Sequence, residues 1–202
     1  VTPCPQCLLV HQCVCPQVPQ LSSTLQLSLL MHDNEAQRDT NTGRWLNAAL
    51  PDCHNFSWSR VEPNAALNER IADPDYYSLL VYPGERSLGL DDALEQARIL
   101  ERQPHFILLD GTWQEAKKME RKSPWLEDLP RVTLSPQQLS RYRLRRNQSD
   151  GHLCTLEVGC ELLRAIGEAH NAEQLDAFFA EFMAIFQADK SGHRCCALNH
   201  EC

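Results

Sequence analysis

His105-Phe-Ile-Leu-Leu-Asp110-Gly-Thr-Trp113 runs an apolar segment straight into a carboxylate, a glycine and a helix cap. Its first five residues have the length and aromatic and aliphatic content of a buried parallel strand, and residues 114–122 have the propensity of a helix. Thr112 and Glu115 have capping-box spacing, in which each side chain satisfies a backbone N–H of the other's turn. Asp110 thus falls at the carboxyl end of a strand beside the positive end of a helix, where open α/β sheets bind ligands. A plainer use for such a carboxylate is to hydrogen-bond the turn that it begins.

Outward from this junction, strands and helices alternate. Strands are expected over residues 24–31, 56–61, 78–82 and 131–134, and helices over 41–50, 65–71, 90–103, 153–169 and 172–189. Leu175, Phe178, Phe179, Phe182, Ile185 and Phe186 recur at helical spacing and read as a core stripe. The order implies an α/β fold, a mainly parallel sheet with helices on both faces. Neither GxGxxG nor GxxxxGK[ST] occurs, so a nucleotide-like ligand would bind without a Rossmann turn or a P-loop. Tyr82-Pro83-Gly84-Glu85 is a second candidate ligand loop, or simply a tight turn.

With 202 residues, 43% of them hydrophobic, the chain suits one domain with a small appendage. Its apolar runs are too short for a bilayer and no leader precedes them, so a cytoplasmic protein with no membrane partner is expected. The net charge of -8 is unevenly spread: residues 114–146 hold nine Lys or Arg against four acids. Such a basic stretch on an acidic body suits a phosphate backbone, or is a solvated, salt-bridged helix face.

Ten cysteines make spacing decisive. Cys4-x2-Cys7-x5-Cys13-x-Cys15 can bring four thiolates around one ion, which favours a structural zinc with no open coordination position. Disulfides are the competing reading, disfavoured in a reducing cytosol. Cys53, Cys154 and Cys160 read as small buried hydrophobes. The tail from His193, with Cys195, Cys196, His200 and Cys202, matches no trusted metal spacing. The expected division is a zinc knuckle over 1–20, a catalytic domain over 21–190 and a Cys/His-rich tail over 191–202.

Leu109-Asp-Gly-Thr-Trp113, Lys117-Lys-Met119, Arg121-Lys-Ser-Pro124, Tyr142-Arg-Leu-Arg145 and Leu153-Cys-Thr-Leu-Glu157 follow one another in order, after the cysteine pairs and Asn41-Thr-Gly-Arg44. Together they resemble the DTW-domain tRNA-uridine aminocarboxypropyltransferases of the bacterial type. The resemblance implies a SPOUT-related fold whose C-terminal region is knotted around bent S-adenosylmethionine. It also implies transfer of the 3-amino-3-carboxypropyl group to the imide nitrogen of a uridine in the tRNA variable loop. Tyr82, Pro83 and Gly84, then Leu109, Gly111, Thr112 and Trp113, then Leu153, Cys154 and Thr155 would line the cofactor pocket. Arg44, Lys117, Lys118, Arg121, Arg143, Arg145 and Arg146 would meet tRNA phosphates. Arg44 could instead meet the cofactor carboxylate, and Trp113 and Thr112 could instead pack and cap their helix.

A sulfonium activates three carbons, so the product depends on which one is aligned with the nucleophile. The uracil imide is a poor nucleophile while protonated, which gives Asp110 a task as base. It could equally accept the imide proton in a hydrogen bond or anchor the cofactor's ammonium. A SPOUT-type RNA methyltransferase and a non-enzymatic zinc-knuckle RNA-binding module are the alternative readings.

Overall fold

The computed structural model describes residues 2–135 and 153–195. Six strands form one sheet: β1 (Gln26–Met31), β2 (Cys53–Ser57), β3 (Tyr76–Val81), β4 (Leu88–Gly89), β5 (Gln103–Asp110) and β6 (Arg131–Thr133), ordered β2-β1-β5-β3-β6-β4. Every pairing is parallel, as expected for strands joined by helical crossovers. The helices are α1 (Gly43–Ala49), α2 (Ala65–Ala72), α3 (Leu90–Ile99), α4 (Trp113–Arg121), α5 (Thr155–Ala165) and α6 (Ala169–Lys190).

Side-chain alternation along the central strand β5 sorts the core into two layers. Phe106 and Leu108 enter a cluster with Trp45 and Leu46 of α1, Ala93 of α3, and the apolar faces of α5 and α6. Ile107 packs oppositely with Leu67 of α2, Met119 of α4 and Trp58. By the same alternation, Asp110 is directed toward the first face. The six-residue stripe of α6 is buried throughout, and Trp45 stands edge-on to Phe178 and Phe182 at 5.3 and 5.1 Å. Each such aromatic removed from water contributes about 1.5–3 kcal/mol.

His105, the first residue of the junction segment, lies inside the sheet. Its Nε2 meets Ser28 Oγ at 2.7 Å and its Nδ1 meets Ser78 Oγ at 2.8 Å, one serine from each flanking strand. Burial, then Arg70 and His54, push its pKa down to about 3. The imidazole is therefore a neutral rivet between β1 and β3.

The structure shifts several expected boundaries. The second strand is Cys53–Ser57 rather than 56–61, because Leu27 through Met31 pair with Cys53 through Ser57. An edge strand covered on one face tolerates polar residues, and Val61 is 85% exposed. The third helix stops at Ile99, and Glu101, at φ 54°, turns the chain back so that Gln103 and Pro104 open β5. Gly167, at φ 88°, separates α5 from α6, a left-handed stop that glycine makes cheaply. The two-residue β4 is too short to announce itself in sequence.

The N-terminal knuckle contributes Cys7, Leu9, Val14 and Val18 to the larger core cluster. Asp189, at the end of α6, accepts the N–H groups of Val10 and His11 at 2.8 and 2.6 Å, fastening knuckle to helix. Arg143, Arg145, Arg146 and the Cys196, His200 and Cys202 tail lie outside the described residues. Among the described residues, no helix is long and apolar enough to cross a membrane.

Candidate active site at the carboxyl edge of the sheet

Three helix N-termini meet at the end of β5. Thr112, Thr42 and Cys154 are the N-caps of α4, α1 and α5. Asp110 lies among them, 3% exposed. Its Oδ2 accepts Asn41 Nδ2 at 2.8 Å and its Oδ1 accepts Thr155 Oγ1 at 2.7 Å. Segments 69 and 45 residues away in the chain thus converge on one carboxylate, and the helix ends favour its negative charge.

The Asn41-Thr-Gly-Arg44 run is explained residue by residue. Asn41 bridges Asp110 to Glu35, donating to Glu35 Oε2 at 2.8 Å, while its own Oδ1 accepts Arg44 N at 2.9 Å. Thr42 Oγ1 accepts Leu156 N at 3.2 Å, joining α1 to the first turn of α5. Gly43 lies so close that an added Cβ would stand 2.7 Å from Asp110 Oδ2. Arg44 donates to the carbonyls of Arg38 and Gln6, the latter at 2.7 Å, so it staples the cysteine knuckle to the β1–α1 crossing. Burial lowers its pKa against the pull of nearby carboxylates, and its Nε is buried without a partner among the described residues.

The capping box expected at α4 is present. Glu115 Oε2 accepts Thr112 N at 2.8 Å, and Glu115 N donates back to Thr112 Oγ1 at 3.3 Å. Arg38 forks onto the same carboxylate, Nη1 to Oε2 at 2.7 Å and Nη2 to Oε1 at 2.8 Å, and also donates to Glu35. Burial raises the Glu115 pKa, but Arg38 and Thr112 outweigh it and hold the group well below the usual carboxylate range. A second box at α5 pairs Cys154 with Glu157, whose Oε2 accepts Cys154 N at 2.9 Å. Cys154 is buried, as are Cys53 and Cys160, and burial pushes all three thiols up.

On the opposite face, Tyr82 stacks on Trp113 with centroids 5.6 Å apart and planes 19° apart, tying the β3–β4 loop to the β5–α4 junction. Arg131 lies over Tyr82 at 5.7 Å and Lys117 over Trp113 at 5.3 Å. His32, following β1, stacks on Trp58 at 5.4 Å. Lys118 lies over Trp58, and Lys117, Lys118 and Arg121 of α4 are exposed.

The structure therefore gathers Asp110, Gly111, Thr112 and Trp113 with Thr155, Cys154 and Tyr82 around the sheet edge. Leu109 and Leu153 flank them, and Pro83 and Gly84 are exposed on the adjoining loop. It places Arg44 against backbone carbonyls. Glu35 and Arg38 carry no motif or periodic signal in the sequence, and Asn41 stands out only as part of the Asn41-Thr-Gly-Arg44 run. Their position directly after a strand was the available signal, since β1 is the immediate neighbour of β5.

The four N-terminal cysteines form a separate cluster whose Sγ atoms all lie within 4.8 Å of one another. Thiolates bound tetrahedrally to zinc at about 2.3 Å stand about 3.8 Å apart. Cys4–Cys13 stand 3.6 Å apart, Cys4–Cys15 3.8 Å and Cys7–Cys13 3.9 Å, so the donor set fits that ion. Backbone N–H groups of Cys7 and Gln6 bring the Cys4 pKa down to about 6, favouring a thiolate ligand.

Comparison with known proteins bears on this site. The DTW domain matches residues 1–187. The tRNA-uridine aminocarboxypropyltransferase 2 of Drosophila melanogaster is 30% identical over 161 residues, covering 76% of this chain and 62% of that protein. The protein of the same name from Mus musculus is 27% identical over 166 residues, covering 80% and 55%. The chain thus spans somewhat over half the length of these relatives. No solved structure matches it. The motif segments that converge on Asp110 all fall inside the matched region, and the chain belongs to the DTW-domain family.

Proposed function

We propose that this chain modifies tRNA, transferring the 3-amino-3-carboxypropyl group of S-adenosylmethionine to the imide nitrogen of a uridine in the variable loop. The observation that carries the reading is the convergence of three motif segments on the buried Asp110 carboxylate. Names borne by relatives that share the domain point the same way.

The site suits a cationic co-substrate. Asp110 supplies negative charge at the converging helix ends, and Tyr82 and Trp113 supply flat apolar surface beside the loops proposed to line the pocket. When bound, S-adenosylmethionine supplies a carbon activated by its sulfonium. Asp110 takes the imide proton of the uridine, its orientation fixed by Asn41 and Thr155, and the freed nitrogen can then attack the propyl carbon, whose bond to sulfur breaks so that methylthioadenosine leaves. If Asp110 instead anchors the ammonium, Asp110→Asn loses affinity for S-adenosylmethionine. If it is the base, the variant binds normally and fails to transfer.

Lys117, Lys118 and Arg121 of α4 form a tRNA-facing surface, and Arg143, Arg145 and Arg146 also bind tRNA phosphates in this reading. Arg44 is left out of it, since its terminal nitrogens already hold two carbonyls. In this reading the fold is SPOUT-related, with a knotted C-terminal region. Residues 1–20 form a zinc knuckle docked on a catalytic unit of 21–190.

The test is incubation with tRNA and S-adenosylmethionine labelled either at the carboxyl carbon or at the methyl carbon. Carboxyl label in RNA supports the proposal. Methyl label alone assigns a methyltransferase, and RNA binding without either label assigns a binding module.

A further inference from the structure

The β1–α1 crossing builds a polar path across the sheet edge. From Asp110 it runs through Asn41 to Glu35, then through Arg38 to Glu115, and ends at the backbone and hydroxyl of Thr112. Asp110 and Thr112 are separated in sequence only by Gly111, so the path closes into a ring around the turn that carries the motif. Glu35 is fully buried, and a buried carboxylate has to be matched in place by charged and hydrogen-bonding partners. Arg38 and Asn41 supply them.

Asn41 bridges Glu35 and Asp110, and Arg38 is the positively charged member of the path, bridging Glu35 and Glu115. Its Nη1 is shared between Glu35 and Glu115 while Nη2 completes the fork on Glu115. A planar fork fixes two oxygens in direction as well as distance, which a lysine ammonium does not. Its side chain is 31% exposed, so from sequence and surface alone it looks like one more arginine for RNA phosphate. A phosphate would have to displace two carboxylates to reach it.

We propose that Arg38 is a positioning residue for the transfer reaction: by joining Glu35 to Glu115 it sets the geometry of the Asp110-Gly111-Thr112 turn, and it is not a tRNA ligand. This inference rests on the transferase reading above. A misplacement of about 1 Å in a reacting group costs about 100-fold in rate, so Arg38→Met is expected to lower kcat about 100-fold. Its KM for tRNA stays within about twofold of wild type, because a phosphate contact is not lost. Guanidinium ion added to Arg38→Met restores about a tenth of the lost rate or more by refilling the fork, and Arg38→Lys recovers less.

Arg38→Met and Arg38→Lys are compared with wild type by initial rates, by tRNA binding over a salt series and by circular dichroism. Should Arg38→Met fail to fold, Arg38→Lys carries the same comparison, because it keeps the charge and most of the volume but not the fork. A raised KM for tRNA with a shallower salt slope and unchanged kcat would make Arg38 a phosphate ligand and overturn the proposal. Unchanged kinetics in both variants would do so too. If wild type transfers no carboxyl label, the transferase reading falls and takes this inference with it. If wild type transfers and the variants match it, this inference alone falls.

Discussion

Gly43→Ala probes the packing of the site directly. The added Cβ would lie 2.7 Å from Asp110 Oδ2, 2.9 Å from its Cγ and 3.0 Å from Oδ1. Aspartate is short and this one is held on both sides, so it can yield only by releasing Asn41 or Thr155. Hydrogen bonds to a charged group contribute about 1.5–3 kcal/mol each, so losing one or both costs about 1.5–6 kcal/mol. Alanine in place of glycine returns up to about 1 kcal/mol of helix propensity in α1. Allowing for that return in full, a net loss of about 0.5–5 kcal/mol is expected, which at about 2–4 °C per kcal/mol for a chain of this size lowers Tm by about 1–20 °C. Thermal and urea unfolding followed by circular dichroism measure it, alongside the transfer rate. Gly159→Ala is the control, because its Cβ would press on Leu46, away from any carboxylate; it loses stability without the same loss of transfer. A Gly43→Ala protein as stable as wild type and equally active would refute the placement of Asp110.

Three other outcomes follow from the same contacts. His105 has its pKa pushed down to about 3 by burial, below its unfolded value of about 6.5. Its contribution to stability is therefore complete above pH 6.5 and declines as pH falls, at up to about 1.4 kcal/mol per pH unit. Urea midpoints between pH 7.5 and 5 should show that slope, and His105→Gln should flatten it; equal slopes would remove the rivet. Strong chelation should release one zinc per chain and lower Tm, since the knuckle shares the core with α6; a metal-free chain of unchanged stability would contradict the cysteine assignment. Transfer at subsaturating tRNA should fall steeply with salt, and each of Lys117→Ala, Lys118→Ala and Arg121→Ala should reduce the log–log slope by about 1; a salt-independent rate would remove α4 as the docking surface.

Features governed by local rules were legible in the chain. The α4 capping box, the buried β5 strand and the α6 core stripe follow from spacing and periodicity, and the four cysteines announced themselves by their pairs. The strand-end rule singles out Asp110 from its place between an apolar strand and a capped helix. What escaped was set by long-range contact. No sequence rule says that Asn41 would reach Asp110, or that Arg44 would hold Gln6 rather than face solvent. β2 was displaced because an edge strand takes its residues from register with β1 rather than from its own hydrophobicity. The 33–40 segment, polar apart from Ala36, carries no periodic signal, yet Arg38 is fixed by Glu115, 77 residues away, and the adjoining Asn41 by Asp110, 69 residues away. Gly43 was visible as part of a motif, but only the approach of Asp110 says why glycine is needed there.

The proposed chemistry is that the Asp110 junction directs a propyl carbon, not a methyl, onto uridine. Its most direct measurement is the by-product released per modified uridine, quantified by mass spectrometry in wild type and Asp110→Asn. Wild type is expected to release one methylthioadenosine for each aminocarboxypropyl-uridine, and the variant to yield neither despite normal folding. S-adenosylhomocysteine with methylated RNA, or full methylthioadenosine release from Asp110→Asn, would contradict it.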